Sequence, residues 1–382
     1  MNRTIDKAIV RRKGFTLGRE YYCSPEIFEL DIEKVFFTQW LYVGHESQIA
    51  RPGDFLVYSL AGESIVVLRG EKGELRAFFN VCRHRGSRLI QEACGSIRAF
   101  RCPYHNWTYG LDGSLRGAPG MLDQISKEDF SLHPVWVESW MGLIYINLSQ
   151  KKPSLSMAQM LEVAAPEMKP FGLEHTKIAK TICYEVPCNW KLFMENYREC
   201  YHCLANHPEF CGTVPIDRVH IHRHQPSTRM IQSSNLTFSK YALRPGAQTQ
   251  SIDGKLVSIP LGTLDEEQEV MMHALNFYPA HAFAFGKDYG MALSLHPQSA
   301  TDSLVTMHWY VNNQAVEGRD YDGDRLVGFW DITNRQDIAL CAMNQQGVTS
   351  RRYTPGPYSP SEEDDIDHLL DFYLNVLQED RN

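Results

Sequence analysis

Two stretches decide the fold: NVCRHRGSRL at residues 80–89 and RCPYHNWTYGLDG at residues 101–113. Each sets one cysteine and one histidine in a compact loop, Cys82 with His84 and Cys102 with His105. Seventeen residues separate the two pairs. Thiolate and imidazole are both good ligands for a first-row metal, so two such loops can pinch four donors around one site. The plain alternative is a structural zinc site. A zinc finger, however, takes two cysteines from one hairpin and two histidines from one helix. Here each loop mixes sulfur with nitrogen.

The sequence around the loops reads as strands. FLVYSL, SIVVLRG, LRAFFNVC, SIRAFRCP and GLIYINL are short β-rich runs between residue 54 and residue 146, separated by the glycine-containing turns AGES, EKGE and LDGS. This predicts a small all-β domain over 42–150. Ahead of it, residues 19–41 predict an amphipathic helix opened by Ser24 and Pro25, within an N-terminal helical segment, 1–41. KKPSLS at 151–156 reads as a linker. Residues 189–206 carry apolar groups at helical spacing, and 274–312 return to strands. Residues 359–382 predict a terminal helix, with Ser359, Pro360 and Glu362 as its cap. The fold class is therefore α+β. An all-β domain precedes a second domain, 151–382, in which helices pack on an antiparallel sheet in the helix-grip manner.

Composition excludes several functions. The 382 residues are 43% hydrophobic and 22% charged, with a net charge of −8. That balance disfavours a general nucleic-acid binder or a protein held on an anionic membrane. No apolar run is long enough to span a bilayer, and MNRTIDKAIVRRKGF lacks the apolar core of a secretory signal. A cytoplasmic protein with ten reduced cysteines is expected. Neither a dinucleotide fingerprint nor a P-loop occurs, so nicotinamide can contribute only through another protein.

Two cysteines on one iron and two histidines on the other is the ligand set of a Rieske [2Fe–2S] centre. CRHRG and CPYHNWTYGLDG resemble the cluster loops of the oxygenase (alpha) subunits of Rieske non-haem iron oxygenases. The extra loop cysteines of respiratory Rieske proteins are missing, and Cys94 stands between the loops without a partner in the pattern. The resemblance implies Cys82, His84, Cys102 and His105 as cluster ligands.

Such a cluster carries one electron and needs a second iron to act on substrate, usually one held by two histidines and a carboxylate. RECYHCLANHP at 198–208 offers histidines. On a helix Glu199 and His202 share a face, whereas His202 and His207 do not; Pro208 then predicts a distortion that returns His207 toward His202. The resemblance over NWKLFMENYRECYHCLANHPEF implies His202 and His207 as iron ligands. For the third ligand, Glu199 is near in sequence, and Asp365 with His368 repeats its spacing as a carboxylate di-iron pair would. The family pattern instead implies Asp337, with Asp331 as the fallback, and makes Glu199 a carboxylate bridging the cluster of one subunit to the iron of the next. Cys200 and Cys203 are expected to be buried free thiols. Zinc on them is sterically awkward, and a redox pair should not lie late in a helix.

The resemblance further implies O2, a separate flavin/iron–sulfur reductase fed by NAD(P)H, and a homotrimer. Glutamate in the ENYRECYHC context resembles the monooxygenases of quaternary ammonium compounds: choline, glycine betaine, carnitine, stachydrine. Hydroxylation or N-demethylation of a small quaternary amine is thus expected. An aromatic-ring dioxygenase or aryl O-demethylase is the alternative, and an iron–sulfur carrier or zinc module is the alternative of another class. A cation is held by aromatic faces, for which Tyr201, Phe210, Phe277, Tyr278, Phe283, Phe285, Tyr289 and Trp309 are candidates. His220, His222 and His224 read as surface residues.

Overall fold

The computed structural model describes residues 11–216, 229–233 and 235–378; His220, His222 and His224 lie outside them. The β-rich half folds as three small antiparallel sheets. Strands Leu41–His45, Leu143–Asn147 and Trp136–Trp140 form one; Leu75–Phe79, Glu63–Arg69, Asp54–Leu60 and Cys94–Ser96 form the second. Phe100–Arg101, Thr108–Tyr109 and Leu115–Gly117 form the third, which carries the second Cys/His loop. A separate apolar core, with Phe55, Phe78, Phe100, Trp107 and Tyr109, packs directly against Cys82 and Cys102.

The second half is built on a seven-stranded antiparallel sheet. Its order is Thr176–Val186, Ser303–Asn312, Gly290–Pro297, His281–Phe285, Met271–Phe277, Leu236–Ala242 and Arg229–Ser233. The first and second of these pair over almost their full length, Thr176 opposite Asn312 and Val186 opposite Ser303. The helix Gly323–Val348 packs on the strand Thr176–Val186 and on the helices Trp190–Asn196 and Pro208–Thr213. It buries Leu326, Phe329, Trp330, Cys341 and, among its polar residues, Asp337. The last helix, Asp364–Gln378, packs on the N-terminal segment.

Three expectations need correction. The N-terminal helix is broken: Arg19–Cys23 and Pro25–Asp31 are separate, followed by a wider turn at Ile32–Phe36. Ser24 does cap the second piece, its Oγ accepting from the Ile27 amide at 3.3 Å. The helix from Trp190 ends at Asn196, well before His207; a turn follows, then a single helical turn, Cys203–Asn206. The C-terminal cap uses Glu363 rather than Glu362, with the Ser359 amide donating to Glu363 Oε2 at 2.7 Å.

Candidate functional site

The two Cys/His loops share one backbone plan. The Gly86 amide donates to the Cys82 carbonyl at 3.0 Å, and the Asn106 amide donates to the Cys102 carbonyl at 3.0 Å. The Cys82 amide in turn reaches Ser87 O, and the Cys102 amide reaches Trp107 O. Each loop turns through a left-handed residue, Gly86 at φ +74° and Asn106 at φ +58°. Glycine and asparagine adopt that conformation most readily, which explains both residue choices. The loops therefore present their side chains to each other. The His84 and His105 rings lie 4.7 Å apart, His84 stacks on Trp107, and His105 stacks on Tyr104.

The donor set suits a Rieske cluster. Nδ1 of His84 and Nδ1 of His105 are both buried without a hydrogen-bond partner among the described residues. Two buried, orphaned imidazole nitrogens on rings 4.7 Å apart are costly unless something binds them. Cys82 and Cys102 are buried beside them. Burial pushes the Cys82 thiol up; burial also opposes ionisation of Cys102, but amides of Tyr104 and His105 bring it below the usual value. The Tyr109 hydroxyl lies 3.3 Å from Cys82 Sγ and accepts from the Arg83 amide, a support the sequence reading missed. Cys94 is an exposed free thiol.

The second constellation gathers in a cavity beside the large sheet. His202 Nε2 and His207 Nε2 are 3.0 Å apart, and they lie 3.1 Å and 2.9 Å from the same oxygen, Oδ1 of Asp337. Donors set about 2.1 Å from one ion and at right angles to each other lie about 3 Å apart, so this triad has the spacing of an iron site. Burial pushes the Asp337 carboxyl up, but the two histidines hold it below the usual range. Burial opposes charge on His202 too, yet Asp337 and Glu199 raise it to about 9. Gln336, overlooked in the sequence although adjacent to Asp337, places its Oε1 2.7 Å from His207 Nδ1 and fixes that ring.

Glu199 and His202 meet in a turn rather than on a helix face. Glu199 Oε1 lies 2.5 Å from His202 Nδ1, while Oε2 accepts from the Tyr201 and His202 amides. Asp331 is elsewhere, accepting from Tyr184 and Arg335. His368 pairs with Tyr278, so no second carboxylate–histidine pair faces this triad among the described residues.

Cys200 and Cys203 are joined in a disulfide, which corrects the expectation of free thiols. The physical reason is the end of the helix before them: Cys200 lies in the turn and Cys203 opens the next helical turn, so their Cα atoms approach to 4.9 Å. Cys203 Sγ comes within 4.0 Å of His202 Nε2, and ligand atoms of His202, Cys203 and His207 lie within 4.8 Å of one another. A disulfide sulfur is no thiolate, and Asp337 is nearer, so the carboxylate is the better third donor.

Of the aromatic candidates, only Phe210 and Phe283 line this cavity, together with Tyr197, Tyr241 and Trp330, which the sequence reading passed over. Phe277, Phe285, Tyr289 and Trp309 are buried in the core; Tyr201 is exposed. The C-terminal helix start brings Glu362, Asp364 and Asp365 to the same wall.

Both halves of the chain are similar to known proteins. Residues 39–128 match the Rieske [2Fe–2S] domain model, and 173–379 match that of the ring hydroxylating alpha subunit, catalytic domain. The glycine betaine monooxygenase oxygenase subunit of Pseudomonas aeruginosa (strain UCBPP-PA14) is 34% identical, over 99% of this chain and 93% of that one. The carnitine monooxygenase oxygenase subunit of Acinetobacter baumannii is 33% identical, over 89% and 87%. A crystal structure of a quaternary ammonium Rieske monooxygenase with its substrate L-carnitine superposes with a TM-score of 0.77, at 26% identity over 95% of each chain. The chain belongs to the Rieske non-haem iron oxygenases, as an oxygenase (alpha) subunit. It is an oxidoreductase that uses a [2Fe–2S] cluster and a mononuclear iron, with NAD(P)H acting through a separate reductase. The zinc-module and pure electron-carrier alternatives are thereby excluded. No described helix is long and apolar enough to cross a membrane.

Proposed function

We propose that this Rieske oxygenase hydroxylates a small quaternary amine or betaine, and N-demethylates it when the attacked carbon is an N-methyl. The observation that carries this reading is the cavity at His202, His207 and Asp337. Its walls combine the aromatic faces of Tyr197, Phe210, Tyr241 and Trp330 with the carboxylates of Glu362, Asp364 and Asp365. Aromatic faces and carboxylates together recognise a permanent cation, which neither deprotonates nor donates hydrogen bonds. The names of the relatives point the same way.

Cys82, His84, Cys102 and His105 would hold the cluster, and His202, His207 and Asp337 the mononuclear iron. When bound, the cluster supplies electrons and the iron supplies oxygen activation. The chain's own residues orient and exclude. Gln336 and Glu199 fix the His207 and His202 rings through their Nδ1 atoms, leaving both Nε2 atoms toward the cavity. The aromatic walls exclude water from the substrate's methyl groups. A hydroxylated N-methyl then collapses by losing its O–H proton and breaking the C–N bond, which yields formaldehyde and the demethylated amine.

The division into 1–41, 42–150 and 151–382 belongs to the same reading, as do a cytoplasmic location and a homotrimer in which Glu199 bridges to the neighbouring cluster. Two surfaces favour the trimer. Tyr104, stacked on His105, is 56% exposed, and Tyr201, beside Glu199, is 61% exposed. Large apolar groups exposed at both ends of the electron path are what a head-to-tail interface would cover.

The test is NADH consumption and formaldehyde release with a matched reductase, across quaternary amines and aromatic acids. Coupled turnover of a quaternary amine is expected. Turnover confined to aromatic substrates would replace this reading by a ring hydroxylase or aryl O-demethylase.

A further inference from the structure

Arg198 immediately precedes the bridging candidate Glu199, and it lines the same cavity. Its side chain is buried, with the residue only 7% exposed. Nε, Nη1 and Nη2 are all buried, and none has a hydrogen-bond partner among the described residues. The guanidinium lies over the Tyr278 ring, 4.6 Å from its centroid, which fixes its plane without using any of its N–H groups. A guanidinium carries five donors, and leaving them all unpaired in the interior is expensive.

Asp365 does not resolve this. It acts on Arg198 as a nearby charge, and the Thr237 hydroxyl donates to its Oδ2 at 3.2 Å. It thus offsets the charge through space while leaving the guanidinium's N–H groups unbonded. Burial pulls Arg198 below the usual guanidinium value, as expected for a cation lacking direct partners. The lining of the same cavity also includes the polar residues Thr237, Ser239 and Asn276. One cavity therefore combines aromatic rings and carboxylates, Asp365 near Arg198 among them, with an arginine fork that has no hydrogen-bond partner among the described residues.

We propose that Arg198 is the anchor for a substrate carboxylate, so that the preferred substrate is a zwitterion bearing both a quaternary ammonium and a carboxylate rather than a simple cation or an amino alcohol. The inference rests on the quaternary-amine reading above and narrows it. A planar carboxylate meets the guanidinium fork in two parallel hydrogen bonds, a match that lysine or glutamine cannot reproduce. Arg198 would set specificity by holding one end of the molecule while the other end faces His202, His207 and Asp337. An alcohol such as choline would leave the buried fork unpaired and be rejected for that reason.

The experiment compares glycine betaine and carnitine with choline, on the intact iron-loaded protein with reductase, for the wild type, R198Q and R198K. Calorimetric binding to the anaerobic protein without reductase accompanies it. In the wild type, kcat/KM for the better betaine should exceed that for choline by about tenfold or more. R198Q should lower the betaine-to-choline ratio by about 10- to 100-fold, mostly through KM, with a matching loss of betaine binding. R198K should fall between the two, because its charge restores part of the contact without the two-pronged geometry. Equal losses on betaine and choline, or an unchanged ratio, would overturn the assignment by making Arg198 merely structural. Choline accepted as well as the betaines would also overturn it, while leaving the quaternary-amine reading in place. Failure of every quaternary amine to bind the wild type would remove that reading itself.

Discussion

Glu199 holds His202 from two sides at once. Its Oε1 lies 2.5 Å from the ring Nδ1, and its Oε2 accepts from the His202 backbone amide at 3.2 Å. The ring is thereby turned so that Nε2 faces Asp337. One carboxylate thus sets both the rotamer and the tautomer of a candidate metal ligand.

Glu199→Gln is expected to keep both metal centres, because its amide oxygen and backbone contacts still place the turn. Coupled turnover should fall by about two orders of magnitude or more, an effect in the range of lost metal-supporting contacts. Iron content and single-turnover rates check this. Loss of the mononuclear iron would assign Glu199 to holding metal rather than bridging.

Asp337→Asn removes the charge that His202 and His207 share. The variant should retain its cluster absorbance and lose the mononuclear iron. Metal analysis beside the visible spectrum decides it. Retained iron with full activity would return the third ligand to another carboxylate.

The Cys200–Cys203 disulfide predicts a thiol count. Ten cysteines are present and eight are free, so the denatured, metal-stripped chain prepared without reductant should titrate about eight thiols rather than ten. The double variant C200S/C203S should keep its iron, since neither sulfur is a thiolate donor. Iron loss there would restore the cysteines as ligands.

Glu195 gives a pH dependence of stability. It is buried, accepts from the Tyr22 and Tyr358 hydroxyls, and burial raises its carboxyl from 4.5 to about 7. An acid with a raised folded-state value binds its proton more tightly when folded, so stability falls as pH rises from about 4.5 to about 7 and then levels. The loss is on the order of 1–3 kcal/mol. Glu195→Gln keeps one acceptor oxygen, turns the other into an NH2 donor that a tyrosine hydroxyl oxygen can accept from, and removes the ionisation. Melting curves between pH 5 and pH 8 should show a shallower decline for the variant; an unchanged slope would place the dependence elsewhere.

The sequence made the two-loop domain and the α+β class legible, because C-x-H and C-x-x-H within strand-and-turn patterning have few other uses. Asp337 was legible only by resemblance, since it lies 130 residues from His207 and nothing local marks it. The break between Asn196 and Cys203 was not legible. Its residues keep helical apolar spacing, but Glu199 captures the amides that a continuing helix would need. That same capture brings the two cysteines together, which is why the disulfide was missed. Of the cavity's aromatics, Tyr241 and Trp330 come from a strand and a helix whose approach only the tertiary fold determines. Arg198 carried no signal at all, since an arginine in a charged, turn-forming stretch normally points to solvent.

The most direct test of the two-centre account is metal and labile-sulfide analysis of anaerobically purified protein, run beside Asp337→Asn. The account predicts about three irons and two sulfides per chain, falling to about two irons and two sulfides in the variant. Zinc without sulfide, or iron unchanged by the substitution and also by His202→Ala, would contradict it.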